Sequence, residues 1–353
     1  MKIGFIKSVG DDRCPISQKN IDKWKKQNID VLMEDGIGSG IGLTQIEEEC
    51  SRETVLSEAD IIYANNFNDL SELKSLNGSK IVVSFFEPYN GKFNPEGLPA
   101  NVKIFSMDMI PRTTLAQSMD VLSSMASLAG YQAVITAAVQ SERYFPMMMT
   151  AAGTIKPAQT LVIGAGVAGL QAIATAKRLG SRVEAFDVRA AVKQEVESLG
   201  AKFVEVEGSK DDSAAGGYAV QQSEDYLMRQ KQEIAKSAAK SDVIICTAQL
   251  RGKKAPILIT KEMVEAMKFG SIIVDMASST GGNCELSKDN EEVFHHGVKI
   301  IGNSSLFLEK IIDASELLSN NVYNYLSTMF NNGELVIPEN DEILKASMIY
   351  PKY

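Results

Sequence analysis

Gln159-Thr160-Leu161-Val162-Ile163-Gly164-Ala165-Gly166-Val167-Ala168-Gly169-Leu170 sets three glycines at GxGxxG spacing, after an apolar run and before a helix-forming one. These residue types at this spacing suit phosphate binding. Gly164 allows a tight turn, Gly166 lets the backbone approach a pyrophosphate, and Gly169 lets a helix and a strand pack closely. The helix that follows turns unpaired N–H groups and the positive end of its dipole toward the anion. It continues through Gln171–Leu179 and stops at Gly180, and the next strand begins at once. That strand closes on Asp187, 18 residues after Gly169 and 23 after Gly164. A carboxylate there would hold the hydroxyls of an adenosine ribose and repel a 2′-phosphate, which favours NAD; Arg189, two residues on, weakens that preference slightly. The structural reading of Asp187 is a cap on a helix beginning near Ala190.

A second polar group gathers around Arg112. Gln117, Asp120 and Ser124 fall on one face of a helix opening after Pro111-Arg112, with Ser123 beside them. A cation, an amide and a carboxylate so placed could clamp a carboxamide and a ribose. They could equally serve structure, since Thr114-x-x-Gln117 fits a capping box and Asp120 near a helix start favours the dipole. The small residues Ala214-Ala215-Gly216-Gly217-Tyr218 suit a loop that closes over a ligand, although taken alone they read as a surface loop. Met147-Met148-Met149 reads as gap-filling core, and His295-His296 before Gly297 as a helix end without catalysis. Asp275 ends a strand and either faces a cleft or caps a loop; Cys284 lacks a basic neighbour, so no nucleophile is assigned.

These groups must be positioned by an alternation of strands and helices. Strands are expected at Lys2–Ile6, Asp30–Met33, Ile61–Tyr63, Lys80–Phe85 and Val102–Ser106, then at Thr160–Ile163, Arg182–Phe186, Lys202–Val204, Val243–Thr247, Ser271–Asp275 and Val298–Ile301. Near-continuous apolar strands separated by helices indicate parallel sheets covered on both faces. Two helical stretches, Thr114–Phe145 and Leu306–Met329, are too long for simple crossovers. The expected fold class is α/β, with two Rossmann-like domains joined by these two long helices and a cleft between them. The expected domains are 1–124 with 308–353 packed back on it, and 125–307 as the nucleotide-binding domain.

Composition narrows the function classes. The 353 residues carry 36 Lys+Arg against 45 Asp+Glu, a net charge of −9, which disfavours a nucleic-acid partner. The four cysteines are scattered and only two histidines are present, so neither a zinc site nor a Ser-His-Asp hydrolase is expected, and no metal is assigned. No run approaches the apolar length of a membrane span, which predicts no direct membrane insertion. The N-terminus reads as a strand, not a targeting segment, and a reducing compartment is the default.

Arg112–Tyr131 (RTTLAQSMDVLSSMASLAGY), Phe145–Pro157 (FPMMMTAAGTIKP), Gly164–Gly180 and Asp187–Ala201 resemble the NAD(H)-binding domain I, or alpha subunit, of proton-translocating NAD(P) transhydrogenase, within the superfamily that includes alanine dehydrogenase. The resemblance runs through the middle two-thirds of the chain. It implies that Arg112, Gln117, Asp120 and Ser123 surround the nicotinamide of NAD(H). It implies further that Val167, Ala168 and Gly169 meet the pyrophosphate, that Asp187, Val188 and Arg189 meet the adenosine, that Gly217 and Tyr218 form the tip of a loop over the nucleotide, and that Ala248 lies beside it. Gln249 departs from the apolar residue expected there.

The resemblance also implies an activity: direct hydride transfer between NADH and the NADP(H) cofactor held by a partner domain, coupled to proton movement by a separate membrane domain. A homodimer is implied too, as is a cytoplasmic location peripheral to the inner membrane, or the matrix face in a mitochondrion. The family's Arg-Val-Ala start is reduced here to Arg13-Cys14-Pro15-Ile16-Ser17-Gln18. Val82–Tyr89 lacks the histidine, and Ala277–Gly282 the acid, that alanine dehydrogenase uses as its proton relay. An amino-acid dehydrogenase and a non-catalytic NAD-binding protein are the alternatives.

Overall fold

Lys2–Phe5, Ile61–Tyr63 and Lys80–Ser84 bury almost every side chain, so each needs cover on both faces of its sheet. The computed structural model describes residues 1–43, 47–67, 69–91, 93–208, 223–338 and 340–351. It divides into two units, Met1–Met125 with Lys310–Tyr353, and Ala126–Glu309.

In the first unit the strands lie in the order Met348–Tyr350, Val102–Ser106, Lys80–Ser84, Ile61–Tyr63, Lys2–Phe5, Asp30–Glu34, Glu49–Cys50. All pairs are parallel except Met348–Tyr350 against Val102–Ser106. In the second unit the order is Lys202–Phe203, Arg182–Phe186, Gln159–Ile163, Val243–Cys246, Ile272–Asp275, Val298–Gly302, Glu291–His295, with only the last pair antiparallel. Alternate residues of Gln159–Ile163 feed opposite layers. Val162 packs with Ala172 and Ile173, whereas Leu161 and Ile163 pack with Ile234 and Ala238. Each such Val, Leu or Ile contributes about 1.5–3 kcal/mol by leaving water. The strand order reverses between Gln159–Ile163 and Val243–Cys246, and a doubly wound sheet opens a crevice there, beyond the carboxyl ends of its strands.

The expected helix Thr114–Phe145 is broken. Thr114–Met119 is a 3-10 helix, Asp120 leaves helical geometry (φ −79°, ψ 88°), and the α-helix runs Val121–Gln140. The cause is Asp120 itself, whose Oδ1 accepts the Ser123 N–H at 3.0 Å while its Oδ2 accepts the Ser123 hydroxyl at 2.6 Å. The capping box at Thr114 does not form; the residue before the 3-10 helix is Thr113, and its side chain makes no cap hydrogen bond. Leu306–Met329 likewise splits into a 3-10 turn, Leu306–Lys310, and a helix, Ile311–Ser327, that belongs wholly to the first unit.

Val121–Gln140 is long and apolar enough to cross a membrane by length and composition, which the sequence count of apolar residues missed because serines and glycine dilute the run. Its Ala129, Ala133, Val134 and Ala137 lie in the core of the second unit, and its buried Gln132 donates to Glu309. Those are the marks of a core helix. His295 and His296 end no helix. Glu291–His295 is an edge strand, and His296 (φ 50°) and Gly297 (φ 78°) make the two-residue turn into Val298–Gly302.

Candidate functional site

The turn after Gln159–Ile163 is built on close backbone contact. Gly164 has φ 93°, and a Cβ there would lie 2.7 Å from Thr247 Oγ1. A Cβ at Gly169 would lie 1.8 Å from the Gly164 carbonyl oxygen. Gly166 is different: it precedes the helix Val167–Arg178, and among the described residues nothing comes within 4 Å of a Cβ built on it. No described side chain caps that helix, so the N–H groups of its first turn are left for a ligand. The result is a cradle with a rigid floor and an open mouth, fitting a diphosphate. Val167 is exposed, Ala168 half-buried and Gly169 buried.

Two residues that sequence reasoning did not single out hold this cradle. The Thr247 hydroxyl donates to the Ile163 and Gly164 carbonyls at 3.1 and 3.0 Å. Asn283, fully buried, accepts the Ala248 N–H at 2.9 Å and donates to the Ala248 and Pro256 carbonyls at 2.8 and 2.9 Å. Gln249 donates to the Met276 carbonyl at 3.1 Å, so its amide is used structurally. A polar residue directly after the strand across the reversal was the available signal for Thr247; Asn283 pairs 35 residues away and offered none. Asn283→Ala would leave three part-buried backbone groups without this partner, and we expect it to lower the unfolding free energy by about 2 kcal/mol in urea titration.

Asp187 does not cap the helix near Ala190. Its Oδ2 accepts the Ala165 N–H at 2.7 Å, and its Oδ1 accepts the Arg189 N–H at 2.9 Å. The Arg189 guanidinium completes the pair, with Nε on Oδ1 and Nη2 on Oδ2, each at 2.9 Å. Val188, half-buried, lies between them. Gly217 and Tyr218 lie outside the described residues.

In the first unit, Arg112, Gln117, Asp120 and Ser123 line one open pocket of about 240 Å³, together with Pro111, Thr113, Thr114 and Ala116. Asn321 and Asn324 fix the 3-10 turn beneath it by donating to the Ser118 carbonyl at 2.8 and 3.0 Å. Ser124 is not in the pocket lining; its hydroxyl turns back to the Asp120 carbonyl at 3.2 Å. The helical wheel failed here because the helix starts only after Asp120.

Among the described residues no group of three His, Cys, Asp or Glu could hold a metal. Asp275 caps a loop, accepting the Ala277 and Cys284 N–H groups at 3.0 and 2.9 Å, and burial pushes its pKa up against those bonds. Burial also pushes the Cys14 thiol up to about 11 and Cys284 up to about 12, and holds Cys246 well above its ordinary value. Burial raises the Cys50 thiol as well, but Cys50 alone of the four is not fully buried, so Ellman's reagent at about pH 8 should modify Cys50 first in the folded protein and all four cysteines in urea.

A glycine turn of this geometry at the reversal of a doubly wound sheet, in a chain carrying a second doubly wound unit, defines a two-domain dinucleotide-binding α/β protein. Comparison with known proteins narrows the class. Family models described as alanine dehydrogenase/PNT, N-terminal domain and C-terminal domain match residues 7–129 and 133–352. The chain belongs to this alanine dehydrogenase/NAD(P) transhydrogenase family. It is 45% identical to an NAD(P) transhydrogenase alpha-subunit chain of Rickettsia prowazekii (strain Madrid E), over 84% of this chain and 78% of that one. It is 42% identical to the chain of the same name from Rhodospirillum rubrum, over 93% and 90%. The solved structure of transhydrogenase from Sinorhizobium meliloti superimposes with a TM-score of 0.84 at 38% identity, covering 98% and 97% of the two chains.

Proposed function

We propose that this chain is the NAD(H)-binding component of a proton-translocating NAD(P) transhydrogenase. The observation that carries the proposal is the space that the described residues leave at Gly166, bounded by a close-packed turn and by Asp187 directly after the neighbouring strand. Bound there, the coenzyme supplies a hydride at its nicotinamide ring. The first-turn N–H groups of Val167, Ala168 and Gly169 hold the pyrophosphate, and Asp187, Val188 and Arg189 receive the adenosine. Ala248 borders the nucleotide. Arg112, Gln117, Asp120 and Ser123 orient the carboxamide and ribose of the nicotinamide end. These side chains act by orientation, since a hydride needs no acid or base, and fixed geometry accounts for the rate.

NADP(H), as co-substrate, sits on a partner domain, and a separate membrane domain couples the transfer to proton movement. The chain acts as a homodimer, peripheral on the cytoplasmic face of the inner membrane, with no nucleic-acid partner. The test is stopped-flow absorbance with NADH, an oxidised NADP analogue and a cognate NADP(H)-binding domain. Millisecond hydride transfer supports the proposal. Turnover of pyruvate and ammonia would assign an amino-acid dehydrogenase instead, and tight NADH binding without either would assign a non-catalytic role.

A further inference from the structure

Where the helical pattern breaks at Asp120, a carbonyl is left over. In one continuous helix the Ser118 carbonyl would accept the N–H of Leu122, four residues on. Here the 3-10 turn Thr114–Met119 ends, Asp120 leaves helical geometry, and the next helix begins only at Val121. Two side chains take the place of that N–H. Asn321 and Asn324, one turn apart on Ile311–Ser327, both donate from Nδ2 to the Ser118 oxygen, at 2.8 and 3.0 Å. Stability alone does not account for the Asn321 amide. It is buried, and its Oδ1 has no hydrogen-bond partner among the described residues. A buried amide oxygen left unpaired costs free energy that an apolar side chain of similar size would not. What an apolar side chain could not supply is the N–H aimed at Ser118.

We propose that Asn321 and Asn324 are positioning residues for hydride transfer: through the Ser118 carbonyl they fix the turn that carries Gln117 and Asp120 into the pocket lining. The inference rests on the nicotinamide reading of that pocket and adds to it the residues that set its geometry. Gln117 immediately precedes Ser118 and Asp120 follows it by two, so a shift of this carbonyl moves both. The turn holds itself only by the buried Ala116 and Met119, while Gln117 and Ser118 are exposed. Ile311–Ser327 is the firmer body, anchored by the buried Leu318, Val322, Tyr325 and Leu326. Two donors on one acceptor also make the hold redundant. Either amide keeps the carbonyl in place when the other is lost.

The experiment is single-turnover stopped-flow transfer at saturating NADH, with an oxidised NADP analogue and a cognate NADP(H)-binding domain. It compares the parent, Asn321→Ala, Asn324→Ala and the double variant, with NADH fluorescence titration and urea unfolding on the same preparations. The expected result is a rate loss below about threefold for each single variant and about a hundredfold for the pair, far beyond the product of the two. NADH Kd should stay within about threefold of the parent throughout. A merely structural pair would lower the unfolding midpoint and leave the folded protein transferring hydride at the parental rate. That outcome, or a double variant no slower than the product of its singles, overturns the inference and leaves the NAD(H) site standing. Should the double variant fail to fold, Asn321→Leu with Asn324→Ala, which keeps the buried volume without the donor, decides by the same rate. If that pair also fails to fold, the asparagines hold the fold and not the turn, and the inference falls. A parent that transfers no hydride overturns both readings.

Discussion

Gly166→Ala is expected to unfold in urea within about 1 kcal/mol of the parent and to bind NADH about a hundredfold more weakly. The backbone at Gly166 has φ −78°, which alanine adopts without strain, and among the described residues nothing lies within 4 Å of the added methyl. The stability cost is then only the difference between glycine and alanine before a helix, below about 1 kcal/mol. The methyl projects instead into the mouth of the cradle, where a pyrophosphate must approach the first-turn N–H groups. A hundredfold loss corresponds to about 2.7 kcal/mol. Gly169→Ala supplies the contrast. Its methyl would sit 1.8 Å from the Gly164 carbonyl and 3.2 Å from Thr247 Oγ1, so helix and turn must separate, at about 3 kcal/mol of stability. Urea unfolding and NADH fluorescence on the same preparations separate the two effects. Parental affinity in Gly166→Ala would mean that no diphosphate lies over this turn.

The elements that position the cradle were legible because burial on both faces leaves a simple mark. Val243–Cys246 and residues 272–274 are short apolar runs bounded by polar residues, whereas Arg182–Phe186 carries Arg182 and Glu184 and was legible from its place directly after the helix that stops at Gly180. Glu291–His295 was illegible for the opposite reason: as an edge strand with exposed side chains, it shows charge where a strand pattern is sought. The break at Asp120 escaped because an aspartate inside a helical pattern gives no sign, on its own, of whether its side chain faces solvent or turns back on Ser123. Asn283 escaped because its partners are distant in sequence. Local pattern carries the strands and the glycine turn, whereas the polar bonds that lock the turn depend on which loops the sheet order brings together. At Asp187 both residues were visible in the chain, Asp and Arg two apart, but not that one would saturate the other.

Asp120 has two separable duties, and its variants should divide them. As the residue before Val121–Gln140 it accepts two hydrogen bonds from Ser123, one from the backbone and one from the hydroxyl. Asparagine is as good a cap as aspartate, so Asp120→Asn should cost below about 1 kcal/mol, chiefly the charge at the helix dipole, whereas Asp120→Ala should cost about 1–2 kcal/mol. As a lining residue of the pocket with Arg112 and Gln117, it supplies a negative charge that neither variant retains. If that charge orients the nicotinamide end of the coenzyme, both variants should lower the hydride-transfer rate about a hundredfold, the loss that an ångström of misplacement produces. Their NADH affinity should change by less than about threefold, because the pyrophosphate and adenosine contacts lie elsewhere on the chain. Arg112→Ala, which removes the cation from the same pocket lining, should match them in rate. Stopped-flow transfer and urea unfolding decide the matter. If Asp120→Asn transfers hydride at the parental rate and only Asp120→Ala is slow, then Asp120 is a helix cap that happens to line a pocket, and the nicotinamide end of the coenzyme must be sought at other residues.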